Sequence, residues 1–164
     1  MLFLGGCSPV PIESYVADKP QFEPRTYFDG MLDAWGVVHD WRGKVTRRFS
    51  VEIDGTVSGD SIVLDERFEF SDGERSTRKW TIELSAGDDV IARADDVIGD
   101  ATGKVVGNAM SLGYLIDLDV GDRQYRVRFD DMLWQIDDDV LFNRAVISKF
   151  GIKVGEVTLF MKRR

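Results

Sequence analysis

The chain of 164 residues carries 29 acidic against 21 basic side chains, a net charge of −8, with 43% hydrophobic and 30% charged residues. That length suits one domain with a substantial core, and that balance suits a globular chain. The negative charge argues against nucleic acid as a partner, because phosphates are repelled by such a surface, and no run approaches the roughly 20 apolar residues of a membrane-crossing helix.

The N-terminus reads MLFLGGCSPV and holds the only cysteine, Cys7. Met1, Leu2, Phe3 and Leu4 read as the tail of an apolar signal-peptide run, followed by small residues that suit a cleavage site. Residues 1–6 are therefore expected to be a truncated signal-peptide remnant, and the missing basic residues place the natural start upstream. The string Leu4-Gly5-Gly6-Cys7 resembles the lipobox of bacterial lipoproteins. That resemblance implies that Cys7 is the lipidation site, that its acyl chains, palmitate among them, anchor the protein to a membrane, and that Ser8 directs it to the periplasmic face of the outer membrane.

All four prolines, Pro9, Pro11, Pro20 and Pro24, lie in the first 24 positions. Proline interrupts sheet ladders and stiffens extended segments, so residues 7–25 read as the lipobox cysteine and a tether, and residues 26–164 as a single β domain. From Tyr27 onward the pattern alternates with period two. KVTRRFSVEID places Val45, Phe49, Val51 and Ile53 on one face; SIVLDERFEF repeats it with Ile62, Leu64, Phe68 and Phe70; RKWTIEL with Trp80, Ile82 and Leu84; RQYRVRF with Tyr125, Val127 and Phe129. Such alternation marks half-buried antiparallel strands, and glycine-containing turn signals separate them. About nine or ten strands in simple succession predict an all-β up-and-down meander, and that many twisted strands close on themselves. The competing reading is a helix over Asp131–Phe150, where Leu133, Ile136, Val140, Arg144 and Ile147 fall at helical spacings. The strand reading instead pairs DVLFNRAVIS with GEVTLFMKR around Gly151.

The stretches FDGMLDAWGVVHDWRGKVTRRFSVEIDGTV, DDVIGDATGKVVGNAM and DDMLWQIDDDVLFNRAVISKFGIKVGEVTLFMKR resemble an uncharacterised family of proteobacterial lipoproteins, a domain of unknown function. The resemblance covers nearly the whole chain from Tyr27. It implies a lipocalin-like or calycin-like β-barrel, an envelope address, and a lipid context, since the family's genes tend to lie beside fatty-acid-modifying enzymes of the cyclopropane-synthase kind. It brings no catalytic residues.

Several charged residues share the apolar phase. Arg47 is in step with Val45 and Phe49, and Glu66 with Leu64 and Phe68. If both point inward they should face each other, because a charge inside a barrel costs several kcal/mol unless paired. Arg78 is in step with Trp80, and Asp131 with Phe129. Arg47, Glu66, Arg78, Trp80, Tyr125 and Asp131 are therefore the candidate ligand-binding set, with an arginine to meet the carboxylate of a fatty acid. Structural ion pairing or exposure at strand ends is the plainer alternative. The small residues Ala92, Ala94, Gly103, Gly107 and Ala109 fit either interior room or bulges and tight corners.

Catalytic machinery is sparse. His39 is the only histidine, and beside Asp40 it reads as a surface-loop residue. GDATGKVV lacks the spacing and the Ser or Thr of a phosphate loop. Asp137-Asp138-Asp139 lacks an EF-hand spacing and reads as a solvated turn, and the terminal MKRR as a solvated strand end. No cofactor and no metal are expected. Three functions from different classes fit: a barrel that binds or carries a fatty acid or similar apolar molecule, a structural or assembly lipoprotein with a filled barrel, and an enzyme acting on a lipid inside it. An inward carboxylate with a shifted pKa would speak for the third.

Overall fold

The computed structural model describes residues 10–164. Ten strands follow one another: β1 (Gly30–Asp40), β2 (Val45–Ser58), β3 (Ser61–Phe70), β4 (Arg75–Leu84), β5 (Asp89–Arg93), β6 (Val97–Val106), β7 (Ala109–Val120), β8 (Arg123–Gln135), β9 (Val140–Lys149) and β10 (Ile152–Arg163). Each pairs antiparallel with its neighbours in the chain, and β1 also pairs with β10, so the meander closes into a barrel. The tract once open to a helical reading forms the end of β8 and all of β9. Its inward residues Leu141, Ala145 and Ile147 alternate with outward ones, and the Asp137 carboxylate accepts the backbone N–H groups of Asp139 and Val140 to fold the turn between the two strands.

Burial divides the barrel into two halves. At the lower end, where β2–β3, β4–β5, β6–β7 and β8–β9 turn, the inward side chains Leu32, Ile53, Ile62, Val90, Ala92, Ala101, Met110, Ile116 and Leu141 are buried. A short helix, α1 (Pro24–Tyr27), stoppers this end. Phe22, Tyr27 and Phe28 pack edge-to-face there with ring centroids 5.3–6.0 Å apart, and the Tyr27 hydroxyl donates to the carbonyls of Asp139 and Met161, 3.2 Å from each. Gly55 of β2 is required at this stopper, since a Cβ would run into the Phe28 carbonyl.

Cys7 lies outside the described residues. The Pro-containing segment that follows is not a free tether over its whole length. Tyr15 packs edge-on to Trp134 with centroids 6.1 Å apart, and the Phe22 N–H donates to the Gly107 carbonyl at 2.8 Å. The packed chain thus begins well before residue 26, and the apolar rings of Tyr15 and Phe22 are what draw it onto the lower end. The small residues are explained by close approach: Ala92, Ala101 and Ala109 are fully buried, while a Cβ on Gly103 would meet the Ser111 carbonyl and one on Gly107 the Tyr15 carbonyl.

Because Tyr27 combines a buried ring with two carbonyl partners, Tyr27→Ala should destabilise the barrel by about 3–5 kcal/mol, the cost of emptying an aromatic core site. Equilibrium urea unfolding followed by far-UV circular dichroism measures it; a loss below about 1 kcal/mol would show that the stopper is dispensable.

Candidate functional site

In the upper half most inward residues are only half-buried: Phe49 and Arg47 of β2, Phe68 and Phe70 of β3, Leu118 of β7, Tyr125 and Phe129 of β8, and Val157 and Leu159 of β10, while Val127 and Ile147 among them are buried. These positions alternate as strictly as those below, yet among the described residues no helix covers them. They line an apolar, aromatic cup. Phe49, Phe68 and Phe70 form one cluster with centroids 5.6–5.9 Å apart, and β1 yields to it, since a Cβ on Gly36 would strike the Phe49 ring.

The wall of the cup is lowest at β5. This strand has five residues, and β4 pairs with it only over Thr81–Leu84, so β4 from Arg75 to Trp80 is bonded on the β3 side alone. A recess of about 520 Å³ lies against the outer side of this wall, where the outward residues Asp54, Asp65, Arg67, Thr77 and Lys79 line it together with Glu66, Arg78, Asp95 and Asp96.

At the floor of the cup lies a polar cluster. Glu66 stands directly across from Arg78 in the β3–β4 register, and Arg78 bonds Asp96 of the β5–β6 turn. The Arg78 guanidinium also lies 5.8 Å from the Trp80 ring, which meets Tyr114 edge-on at 5.3 Å, and Tyr114 stacks on Phe129 at 5.3 Å. Asp131 completes the group. Burial pushes the Glu66 carboxyl up to about 7 against the pull of Arg78, and the charges of Asp96 and Asp131 push the same way. Burial likewise pushes Asp131 up to about 6, opposed by the Tyr114 hydroxyl, the Asn143 amide and Arg78. The Tyr114 phenol is held protonated by its own burial and by Asp131. One cation therefore faces three carboxyl groups, and two of those titrate close to neutrality.

The phase argument placed Arg47 and Glu66 on the inner face, but they do not pair. Glu66 lies opposite Ile53, not Arg47. Arg47 sits at the upper rim, donates to Asp72 at 2.8 and 2.9 Å and to Glu74 at 2.6 Å, and stacks 3.6 Å over Phe70. Tyr125 is also near the rim, with Lys149 Nζ 4.1 Å above its ring. Of the candidate set, Glu66, Arg78, Trp80 and Asp131 come together, while Arg47 and Tyr125 do not join them. Tyr114 and Asn143 were missed although both are polar residues in apolar phase, Tyr114 between Leu112 and Ile116 and Asn143 between Leu141 and Ala145. Asp96 carried no such signal, because only the short β5 brings its turn to Arg78. His39 donates from Nδ1 to the Gly43 carbonyl at 3.2 Å in a rim turn, away from the cluster. Among the described residues no group of His, Cys, Asp and Glu has the arrangement of a metal site, and no helix is long and apolar enough to cross a membrane.

A closed, ten-stranded antiparallel meander with a stoppered lower end and an open upper one is a lipocalin- or calycin-type barrel. Two solved structures, each with a TM-score of 0.61, share this fold. An S-type phycobiliprotein lyase from Guillardia theta superposes with a TM-score of 0.61 at 9% identity, over 85% of this chain and 90% of that one. A protein of unknown function of the DUF3598 family from Nostoc punctiforme gives 0.61 at 17% identity over 90% of this chain, which spans about half (51%) of that one. A de novo designed fluorescence-activating β-barrel gives 0.46 at 14% identity, over 87% and 99%. No curated protein matches the sequence. The chain belongs to the DUF3833 family, described as proteins of unknown function, whose model matches residues 1–163.

Glu66 has a pH signature. Its folded value near 7 exceeds the ordinary 4.5, so the fold favours the protonated acid. The penalty for ionising it is absent below about 4.5, grows from there, and is complete above about 7. Glu66→Gln should therefore leave stability unchanged near pH 4.5 and raise it by about 1–3 kcal/mol at pH 8. Urea unfolding at the two pH values checks this; a loss of stability at pH 8 would mean that the ionised carboxylate is the form the barrel prefers.

Proposed function

We propose that this protein is a lipid-anchored envelope carrier, held at the periplasmic face of the outer membrane through acyl chains on Cys7, whose cup holds a fatty acid or similar apolar molecule. One observation carries the reading: the same inward alternation that fills the lower half leaves an aromatic, half-exposed lining above. A closed barrel of this kind is able in principle to enclose a small apolar ligand. Each methylene taken from water onto Phe49, Phe68, Phe70 and Leu159 contributes about 0.8 kcal/mol, so a partly enclosed acyl chain binds usefully.

The polar cluster sets the head group. Arg47 and Arg78, the cations expected to meet a carboxylate, are both committed to acidic partners, and the floor of the cup carries an excess of carboxyls. The head group that fits is a protonated carboxyl or a hydroxyl, able to share a proton with Glu66 or Asp131. An ionised carboxylate would add a further negative charge to a desolvated acidic group.

A second reading has its own support. Two inward carboxyls with values near 7 and 6 in an apolar setting suit acid–base chemistry on a bound lipid. The carrier reading is preferred because the cluster holds no serine, cysteine or histidine beside the two carboxyls. The solid lower half would also serve a purely structural lipoprotein, but such a role leaves the uncovered rings of the cup without use.

Calorimetry and Trp80 fluorescence should show micromolar binding of a long-chain fatty acid, at least about tenfold tighter at pH 5.5 than at pH 8, while the matching fatty alcohol changes little with pH. Absence of saturation with both ligands at both pH values would end the carrier reading, and slow turnover of an ester analogue, abolished by Glu66→Gln, would move the assignment to the enzyme. Expressed from the full gene in a diderm bacterium, the protein should incorporate labelled palmitate and fractionate with outer membrane, and Cys7→Ser should abolish both. Recovery of unlabelled protein from the wild-type gene would remove the anchor.

A further inference from the structure

Three hairpin tips that are consecutive around the barrel, β7–β8, β9–β10 and β1–β2, carry large apolar side chains into solvent at the open end. Phe150 is 92% exposed, Ile152 70%, Trp41 65% and Val120 60%. Apolar patches on hairpin tips are costly to leave in water and mark interaction surfaces. Phe150 is costly for a second reason. It occupies the first position of a two-residue turn with φ +51°, followed by Gly151 at +76°. Turns with two left-handed residues favour Asn or Asp at that place, and a bulky side chain there is strained. A residue that opposes both solvation and backbone preference points to a use for its ring.

The charge around these tips differs from that of the whole molecule. Most Arg and Lys side chains bridge to a carboxylate; among the described residues Lys19, Arg42, Lys44, Arg48, Arg123, Lys149, Lys162 and Arg163 have no such partner, and four of these are Arg42, Lys44, Arg123 and Lys149. All four lie on or beside these same hairpins. Arg42 stacks 4.6 Å from Trp41, and Lys149 lies 5.3 Å from Phe150, so apolar and cationic groups form one surface. The acids of these turns are Asp40, Asp119 and Asp122. Asp40 accepts the backbone N–H groups of Arg42 and Lys44 at 2.9 and 3.0 Å, and Asp119 accepts from Gln124 at 3.2 Å. The opposite part of the rim is acidic, with Asp72, Glu74, Asp95 and Asp96. In a chain of net charge −8, half of the cations without a carboxylate partner thus lie where the exposed rings are.

We propose that this side of the mouth docks on an anionic phospholipid bilayer, with Phe150, Ile152, Trp41 and Val120 entering the interface and Arg42, Lys44, Arg123 and Lys149 meeting headgroup phosphates. Aromatic rings beside lysine and arginine are the combination that partitions into a bilayer interface. The surface adds to the Cys7 anchor and does not depend on it. Tyr15 and Phe22 fasten the N-terminal segment at the stoppered end, whereas this patch lies at the open one, so docking brings the cup to the bilayer from which an apolar ligand would enter.

The test uses the full chain with Cys7→Ser, which removes any acyl contribution, and vesicles of phosphatidylcholine with or without phosphatidylglycerol. Flotation should recover the protein with anionic vesicles only, and Trp41 emission should be quenched by brominated lipid. Phe150→Asn restores the residue the turn prefers, so it should raise the unfolding midpoint while weakening vesicle binding at least about tenfold. Lys149→Glu with Lys44→Glu should abolish the preference for anionic lipid with the barrel still folded by circular dichroism. Absence of binding to anionic vesicles overturns the proposal. So does binding indifferent to Phe150→Asn, or a dimer in solution that Phe150→Asn dissociates, which would make the patch a contact between copies. Since vesicle binding requires no ligand in the cup, it stands or falls separately from the carrier reading.

Discussion

The pairing of β1 with β10, from Leu32 against Arg163 to Asp40 against Gly155, is the constraint on which the rest of the molecule depends. It removes the two free edges that an open meander of this size would present, and with them the unpaired backbone groups that invite association. It also turns an alternating pattern into an inside and an outside. Once the sheet is closed, every second side chain of every strand must be packed, paired or wet. The N-terminal stopper settles which of these applies at each end: Phe22, Tyr27 and Phe28 dry the lower half, and the upper half remains open.

The polar cluster follows from the same closure. A carboxyl on a strand that faces inward cannot turn to bulk water, so burial pushes Glu66 and Asp131 up toward neutrality, Asp131 against the pull of Tyr114 and Asn143. Arg78 keeps its charge because β5 is short enough for Asp96 to reach it over the lowered wall. This is a different solution from the buried reciprocal ion pair, where both charges persist and each depends on the other. It places protonatable groups, rather than a fixed positive charge, at the floor of the cup.

The two ends of the barrel are therefore chemically opposite. The lower end is stoppered by aromatic rings and wrapped by the N-terminal segment; the upper end combines an open aromatic lining with a rim that is cationic and apolar on one side and acidic on the other.

The sequence by itself determined the strands and their inner faces. Period-two alternation is a local property, and glycine turns at Gly43, Gly59, Gly73, Gly121 and Gly151 set five of the nine hairpins, so a meander of about ten strands was legible before any contact was known. It also identified Arg47, Glu66, Arg78 and Asp131 as residues of the inner face. Which of these meet was decided by the tertiary structure. Height along the barrel axis depends on strand tilt and register, which no single strand records, and six positions of register separate Ile53, opposite Glu66, from Arg47. Asp96 reaches Arg78 only because a neighbouring strand is short. The exposed Phe150 gave no signal either: in the sequence it is one more aromatic residue at the end of an alternating run, and the β9–β10 register, which makes Phe150 rather than a polar neighbour the first residue of the two-residue turn, puts that ring in water.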